Sequence, residues 1–154
     1  GYLSTEKSYS NYYLRVIFKW GNDKYPPREK DKRDSGILYH FSTKEQDKVW
    51  PTSVECQVQE GDCGDFWLVG TSGDSPNKAE IAWGMKHIMR SENFEKPHGE
   101  WNVIEIICNG NEAGHYVNGH LVNSGTNLSA TDGRILLQSE GAEIFYKDVV
   151  LIPY

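Results

Sequence analysis

Ser53-Val54-Glu55-Cys56-Gln57-Val58-Gln59-Glu60-Gly61-Asp62-Cys63-Gly64-Asp65-Phe66-Trp67 is the stretch that decides the fold class of this chain. Its first half alternates strictly between apolar and polar residues, the period of a half-buried strand. Val54, Cys56 and Val58 fall on one face, and Glu55, Gln57 and Gln59 fall on the other. Gly61 to Gly64 supplies turn residues, and Phe66-Trp67 opens a second strand. Asp62 and Asp65 read as turn aspartates that bond nearby backbone.

The same period runs outward in both directions. Leu14, Val16, Phe18 and Trp20 share a face opposite Arg15, Ile17 and Lys19. In Ser35 to Phe41, alternation sets Ile37, Tyr39 and Phe41 against Leu38 and His40. Phe66 to Val69 and Ala79 to Trp83 are shorter strands, and Val103 to Cys108 is a strong one. Glu112 to Val122 contains Asn118-Gly119, a hairpin signal, and Arg134 to Gln138 and Glu143 to Ile152 finish the series. Only Met85 to Glu95 reads as able to hold a helical turn. Strands separated by Gly, Asn, Asp, Ser and Pro clusters predict an all-β sandwich.

Composition agrees. The 154 residues suffice for a single domain with a real core. An apolar share of 38% suits antiparallel sheets with one wet face each, and argues against a parallel sheet covered on both sides. A net charge of -6, from 16 basic and 22 acidic residues, argues against a nucleic-acid partner. Arg28 to Asp34 mixes both signs after Pro26-Pro27 and reads as a solvated loop. No apolar run is long enough for a transmembrane helix. Cys56, Cys63 and Cys108 lack the paired spacing of a zinc site and read as buried thiols, with a Cys56–Cys63 bridge as the lesser alternative. His115 and His120 straddle the Asn118-Gly119 turn on opposite faces, which argues against a shared metal.

A row of Glu and Gln on a strand's wet face suits a polar, uncharged partner. Sugars are such partners, because carboxylates and amides together can accept from and donate to vicinal hydroxyls. The five Trp and nine Tyr serve either as core or as stacking surface for sugar rings.

Five short motifs then carry a resemblance. Ser35-Gly36-Ile37, Val54-Glu55-Cys56-Gln57, Gly99-Glu100-Trp101-Asn102, Val117-Asn118-Gly119 and Ile135-Leu136-Leu137-Gln138-Ser139-Glu140-Gly141 occur in the order and with the gaps of one family. The chain resembles the 3-keto-disaccharide hydrolase domain from about Gly1 to its C-terminus. That resemblance implies a concanavalin A-like jelly roll of two antiparallel sheets over residues 1–154, short of an N-terminal segment that relatives carry. It implies an enzyme acting on a 3-keto-glycoside or disaccharide, by elimination or by hydrolysis, and an exported or cell-surface bacterial location. Where relatives often have Phe-Arg-Asn, this chain has Tyr146-Lys147-Asp148.

The implied chemistry asks for a base near the acidified C2 hydrogen and a donor for the enolate oxygen. Parity puts His40, Glu55, Gln57, Gln138 and Glu140 on non-core faces, and the jelly-roll resemblance would bring them to one cleft. Glu55 or His40 is expected as the base. Gln57, Gln138 and Arg33 are expected to bind or orient substrate, Glu140 to serve as second acid or metal ligand, and Trp50 to stack on a sugar. No cofactor is demanded, although a divalent metal would serve as the electrophile. Two other classes share such a sandwich: a noncatalytic carbohydrate-binding module and an interaction domain. Oligomeric state is not legible.

Overall fold

The computed structural model describes residues 1–45 and 51–154. Among these described residues the regular elements are twelve strands and a single 3-10 turn at Thr43–Glu45. In chain order the strands are β1 (Tyr2–Ser4), β2 (Tyr12–Lys24), β3 (Asp34–Phe41), β4 (Ser53–Gln59), β5 (Phe66–Val69) and β6 (Ala79–Ala82). There follow β7 (Met85–Ile88), β8 (Asn102–Asn109), β9 (Glu112–Val117), β10 (His120–Gly125), β11 (Arg134–Gln138) and β12 (Ala142–Pro153). One sheet has the order β1-β11-β3-β4-β5-β7-β6 and the other β10-β9-β8-β2-β12. The named strand pairs are all antiparallel. This is the two-sheet jelly-roll sandwich that the alternation and the resemblance predict.

The core lies between the sheets and uses the expected parities. Tyr12, Leu14, Val16, Phe18 and Trp20 of β2 meet Val54, Cys56 and Val58 of β4, with Ile37 and Tyr39 of β3. Burying such side chains stabilises the fold by about 1.5–3 kcal/mol each. His115 is part of this interior: it accepts from the Tyr39 hydroxyl at 2.7 Å, donates to Gly64 O at 2.9 Å and stacks on Phe66. Burial pushes it down to about 4, so it stays neutral and its two ring nitrogens keep distinct roles. His120, across the hairpin, stacks on Phe94 outside. The three cysteines are buried free thiols.

Two expectations give way. Met85 to Glu95 holds no described helix; Met85–Ile88 is β7, which pairs with both β5 and β6. Trp83 and Gly84, with φ of 55° and 74°, form the two-residue turn that joins β6 to β7. A Trp-Gly turn lacks the Asn or Asp that usually announces this geometry, so the hairpin was hidden.

The second correction concerns His40. Phe41 pairs with Arg134 and Leu38 with Leu136, so Tyr39 and His40 together face Ile135 alone. This is a β-bulge, and His40 takes its left-handed conformation, with φ of 51°. The extra residue breaks the alternation. His40 is 2% exposed, edge-on to Tyr12 and Tyr39 rather than on the wet face.

Candidate functional site

The outer face of the seven-stranded sheet carries an open cleft of about 660 Å³. Its floor comes from β4, where the parity that buries Val54, Cys56 and Val58 turns Glu55, Gln57 and Gln59 outward. One wall is ionic. Arg28 donates to Glu140 at 2.8 Å and to Asp34 at 3.0 Å, and Gln57 Nε2 donates to Asp34 Oδ1 at 2.9 Å. Asp34 opens β3 and pairs with Glu140 in an isolated bridge, which brings the loop after β2 and the turn after β11 together. The opposite wall is apolar and aromatic: Trp67, Val69, Trp83 and Met85. Trp83 is 90% exposed at its turn.

Glu55 stands between these walls. Its cross-strand neighbours are Leu38 on β3 and Trp67 on β5, neither of which can satisfy a carboxylate by hydrogen bonding from an aliphatic chain or a ring face. Burial, reinforced by the negative charge of Asp34 and Glu140, pushes Glu55 up to about 8. The same burial, with Glu140 adjacent and Arg28 opposing, puts Asp34 at about 6. Burial and like charge therefore shift two carboxyl groups of one cleft upward together.

A glycine makes the room. A Cβ at Gly36 would lie 2.3 Å from Glu55 Oε1 and 2.8 Å from Gln138 Oε1. The missing side chain is therefore the space in which the Glu55 and Gln138 head groups lie side by side. Gln138 is otherwise buried, and its backbone oxygen accepts from the Ser35 and Tyr146 hydroxyls.

Of the residues expected from sequence, Glu55, Gln57 and Glu140 meet in the cleft, and Gln138 adjoins it through Gly36. His40 does not. It lines a separate hollow of about 210 Å³ with Ser129 to Gly133, and its Nδ1 faces Ala130 O at 3.0 Å. Arg33 is also elsewhere: its donors go to Gly21 O, Asn22 O and Glu60, tying β2 to the β4–β5 turn. Trp50 lies outside the described residues. Asp65, read as a turn aspartate, reaches across to β7, accepting from the Arg90 backbone at 2.8 Å and contacting His87 at 2.6 Å.

Arg28, Asp34, Trp67 and Trp83 are the cleft residues that sequence reading missed. Carrying the β3 parity back from Gly36 by two residues would have found Asp34, and carrying the β4 pairing onto β5 would have found Trp67. Arg28 and Trp83 left no periodic trace, because each belongs to a turn.

Among the described residues, no group of three or more His, Cys, Asp or Glu is placed to hold a metal ion. Arg28 fills the space between Asp34 and Glu140, so these carboxylates converge on a guanidinium rather than on a common centre.

Solved structures share this architecture. A carbohydrate-binding module, CBM66, from Bacillus subtilis matches at TM-score 0.68 and 9% identity, over 97% of this chain and 80% of that one. A candidate glycosyl hydrolase from Parabacteroides distasonis matches at TM-score 0.68 and 18% identity, over 99% and 83%. Sheep galectin-11, in complex with glycerol, matches at TM-score 0.56 and 9% identity, over 99% and 96%. At these identities the likeness concerns the fold. Among proteins of curated function, none matches the chain in sequence. Residues 1–152 match the family described as the 3-keto-alpha-glucoside-1,2-lyase-like domain, and the chain belongs to that family.

Proposed function

We propose that this domain cleaves 3-keto-glycosides, with Glu55 as the group that moves the proton. The observation that supports this most is a carboxyl raised to about 8, at the floor of an open cleft, between an ionic and an aromatic wall. A ketone at C3 acidifies the C2 hydrogen. Glu55 as carboxylate takes that proton, the C1–C2 double bond forms, and the C1 oxygen substituent departs with the electron pair of its bond. A weakly acidic carboxyl is a stronger base than an ordinary one once ionised, which is what removal of a carbon-bound proton needs. Gln57, Gln59 and Gln138 offer amide donors and acceptors to the sugar hydroxyls, and Gln57 is held by Asp34. Asp34, Glu140 and Arg28 set the field around Glu55. An exported or cell-surface location belongs to the same reading and rests on the family resemblance.

The direction of the pH dependence separates the two routes. With Glu55 as base, kcat/KM rises about tenfold per pH unit up to about 8 and is level above it. With Glu55 as the acid of a direct hydrolysis, the limb near 8 falls instead. The test is turnover of a 3-keto-glucoside by wild type and Glu55→Gln, with and without divalent metal and chelator. The expected loss is about 10²–10⁴-fold, the range for a general acid or base. Unchanged turnover in Glu55→Gln would remove Glu55 from the chemistry.

The noncatalytic carbohydrate-binding module is the second reading, favoured by exposed Trp83 beside Trp67. It predicts saturable binding of an oligosaccharide, no cleavage under any condition, and affinity indifferent to Glu55→Gln.

A further inference from the structure

Four side chains form one row across the outer face. Glu55 on β4 pairs with Trp67 on β5, Trp67 with His87 on β7, and His87 with Glu80 on β6. The Trp67 and His87 rings are stacked, 4.1 Å apart and 4° from parallel. His87 therefore covers the Trp67 face toward β7, and the other face is turned toward β4, where Glu55 lies. Both nitrogens of His87 meet carboxylates, Nε2 with Asp65 Oδ2 at 2.6 Å and Nδ1 with Glu80 Oε1 at 3.1 Å. Carboxylates only accept, so both bonds can form only when both nitrogens carry hydrogen, in the imidazolium. A cation on one face of an indole is itself attractive.

Resting on the 3-keto-glycoside reading, we propose that the free face of Trp67 is the surface against which the sugar ring stacks above Glu55, and that His87, clamped by Asp65 and Glu80, is the positioning residue that holds it there. Three features support the clamp. The Asp65 side chain is 5% exposed and anchored by the Arg90 backbone, so the Nε2 bond has a fixed origin. The ring planes are parallel rather than edge-on, so any tilt of His87 would be transmitted to Trp67. Among the described residues His87 is the one ring stacked on Trp67, so the face toward β4 and the cleft is the one left to a sugar. The groups facing His87 are Asp65 and Glu80, with Glu55 beyond Trp67; the Arg90 guanidinium is directed to Gly61 O instead. Burial lowers the basicity of His87, but the two carboxylates outweigh it and hold its proton above the ordinary histidine range.

His87→Gln isolates the role, since the amide can still donate to Asp65 but presents neither an aromatic ring nor a charge to Trp67. Binding of a 3-keto-glucoside is measured in the Glu55→Gln background, where turnover does not interfere, and KM and kcat are measured with Glu55 intact. His87→Gln is expected to stay folded with a lowered unfolding temperature, weaken binding and raise KM about tenfold, and leave kcat within about twofold. Intrinsic fluorescence supplies a separate signature. A protonated imidazole quenches a stacked indole, so in the Glu55→Gln background, where Glu55 cannot titrate beside Trp67, emission should rise as pH passes above the ordinary histidine range, and adding His87→Gln should abolish the rise. Binding that His87→Gln leaves unchanged, or a Glu55→Gln protein without the fluorescence rise, would overturn the inference while leaving the enzyme reading intact. Neither binding nor turnover of the 3-keto-glucoside by any form would instead sink the 3-keto-glycoside reading on which it rests.

Discussion

Glu55 and His40 are on neighbouring strands of one sheet, and burial drives both toward the uncharged form. For Glu55 this means a carboxyl pushed up to about 8, and for His40 an imidazole pushed below its usual range. Their surroundings part company there. Glu55 faces an open cleft with Asp34, Glu140 and Gln57 within the same wall system. His40 is enclosed by Tyr12, Tyr39 and the Ala130 carbonyl at the end of the core. Glu55 borders the larger cleft beside other polar groups, whereas His40, 2% exposed, borders only a smaller hollow and stands edge-on to two tyrosines.

Each region also contains a glycine whose missing side chain makes room, and the two glycines clear different kinds of atom. At Gly133 a Cβ would lie 2.4 Å from the His40 carbonyl carbon and 2.6 Å from the Phe41 nitrogen. These are backbone atoms of a bulge in the middle of a sheet, with no rotamer by which to yield. Gly133→Ala should therefore cost about 3 kcal/mol or more, the upper range for overpacking, read from urea denaturation. A loss below about 1 kcal/mol would mean that the bulge is pliable, and that His40 is not locked out of the wet face.

At Gly36 the atoms nearest the new methyl are the ends of Glu55 and Gln138, both flexible side chains. Gly36→Ala should leave stability within about 1 kcal/mol while moving the Glu55 carboxyl off its position. Misplacement of a reacting group by about 1 Å can cost on the order of a hundredfold, so turnover is expected to fall about 10–100-fold with the unfolding midpoint nearly unchanged. If instead both properties fall together, the row around Gly36 is part of the structural frame, and the contrast with Gly133 disappears.

The two regions were unequally legible before the structure was known. Glu55 and Gln57 lie inside an unbroken run of alternation, and a period of two assigns a face to each such residue without tertiary information. His40 obeys the same alternation in sequence and departs from it in space, because a bulge inserts one residue without leaving a compositional mark. Arg28 and Arg33 show the same limit in a loop. Five residues apart in one charged stretch, they take different partners, Arg28 in the cleft to Asp34 and Glu140 and Arg33 to Gly21 and Asn22 carbonyls. No periodicity acts on a loop, so its pairing depends on where the neighbouring strands finish. His87 was lost for a third reason. It lies on a short strand whose sequence, Met-Lys-His-Ile, carries only two strongly apolar residues and is β only because β5 and β6 flank it.

The smallest effect in the comparison comes from the charges around Glu55 rather than from its position. Burial is the first cause of its raised value, and the Asp34 charge is the second. Asp34→Asn removes that charge and keeps an oxygen to accept from Gln57 Nε2, while its NH2 replaces the oxygen that accepts from Arg28, so that hydrogen bond is lost and Arg28 keeps Glu140. With less negative charge nearby, Glu55 ionises more readily, so the rising limb of kcat/KM should move to lower pH. The displacement should be under about one pH unit, worth at most about 1.4 kcal/mol, because the burial remains. At pH 7, below the limb, this variant is then expected to be faster than wild type, an unusual sign for a substitution inside a catalytic cleft. A limb that moves to higher pH, or does not move at all, would show that the titrating group is not Glu55 under the influence of Asp34, and would pass the proton transfer to another group of the cleft.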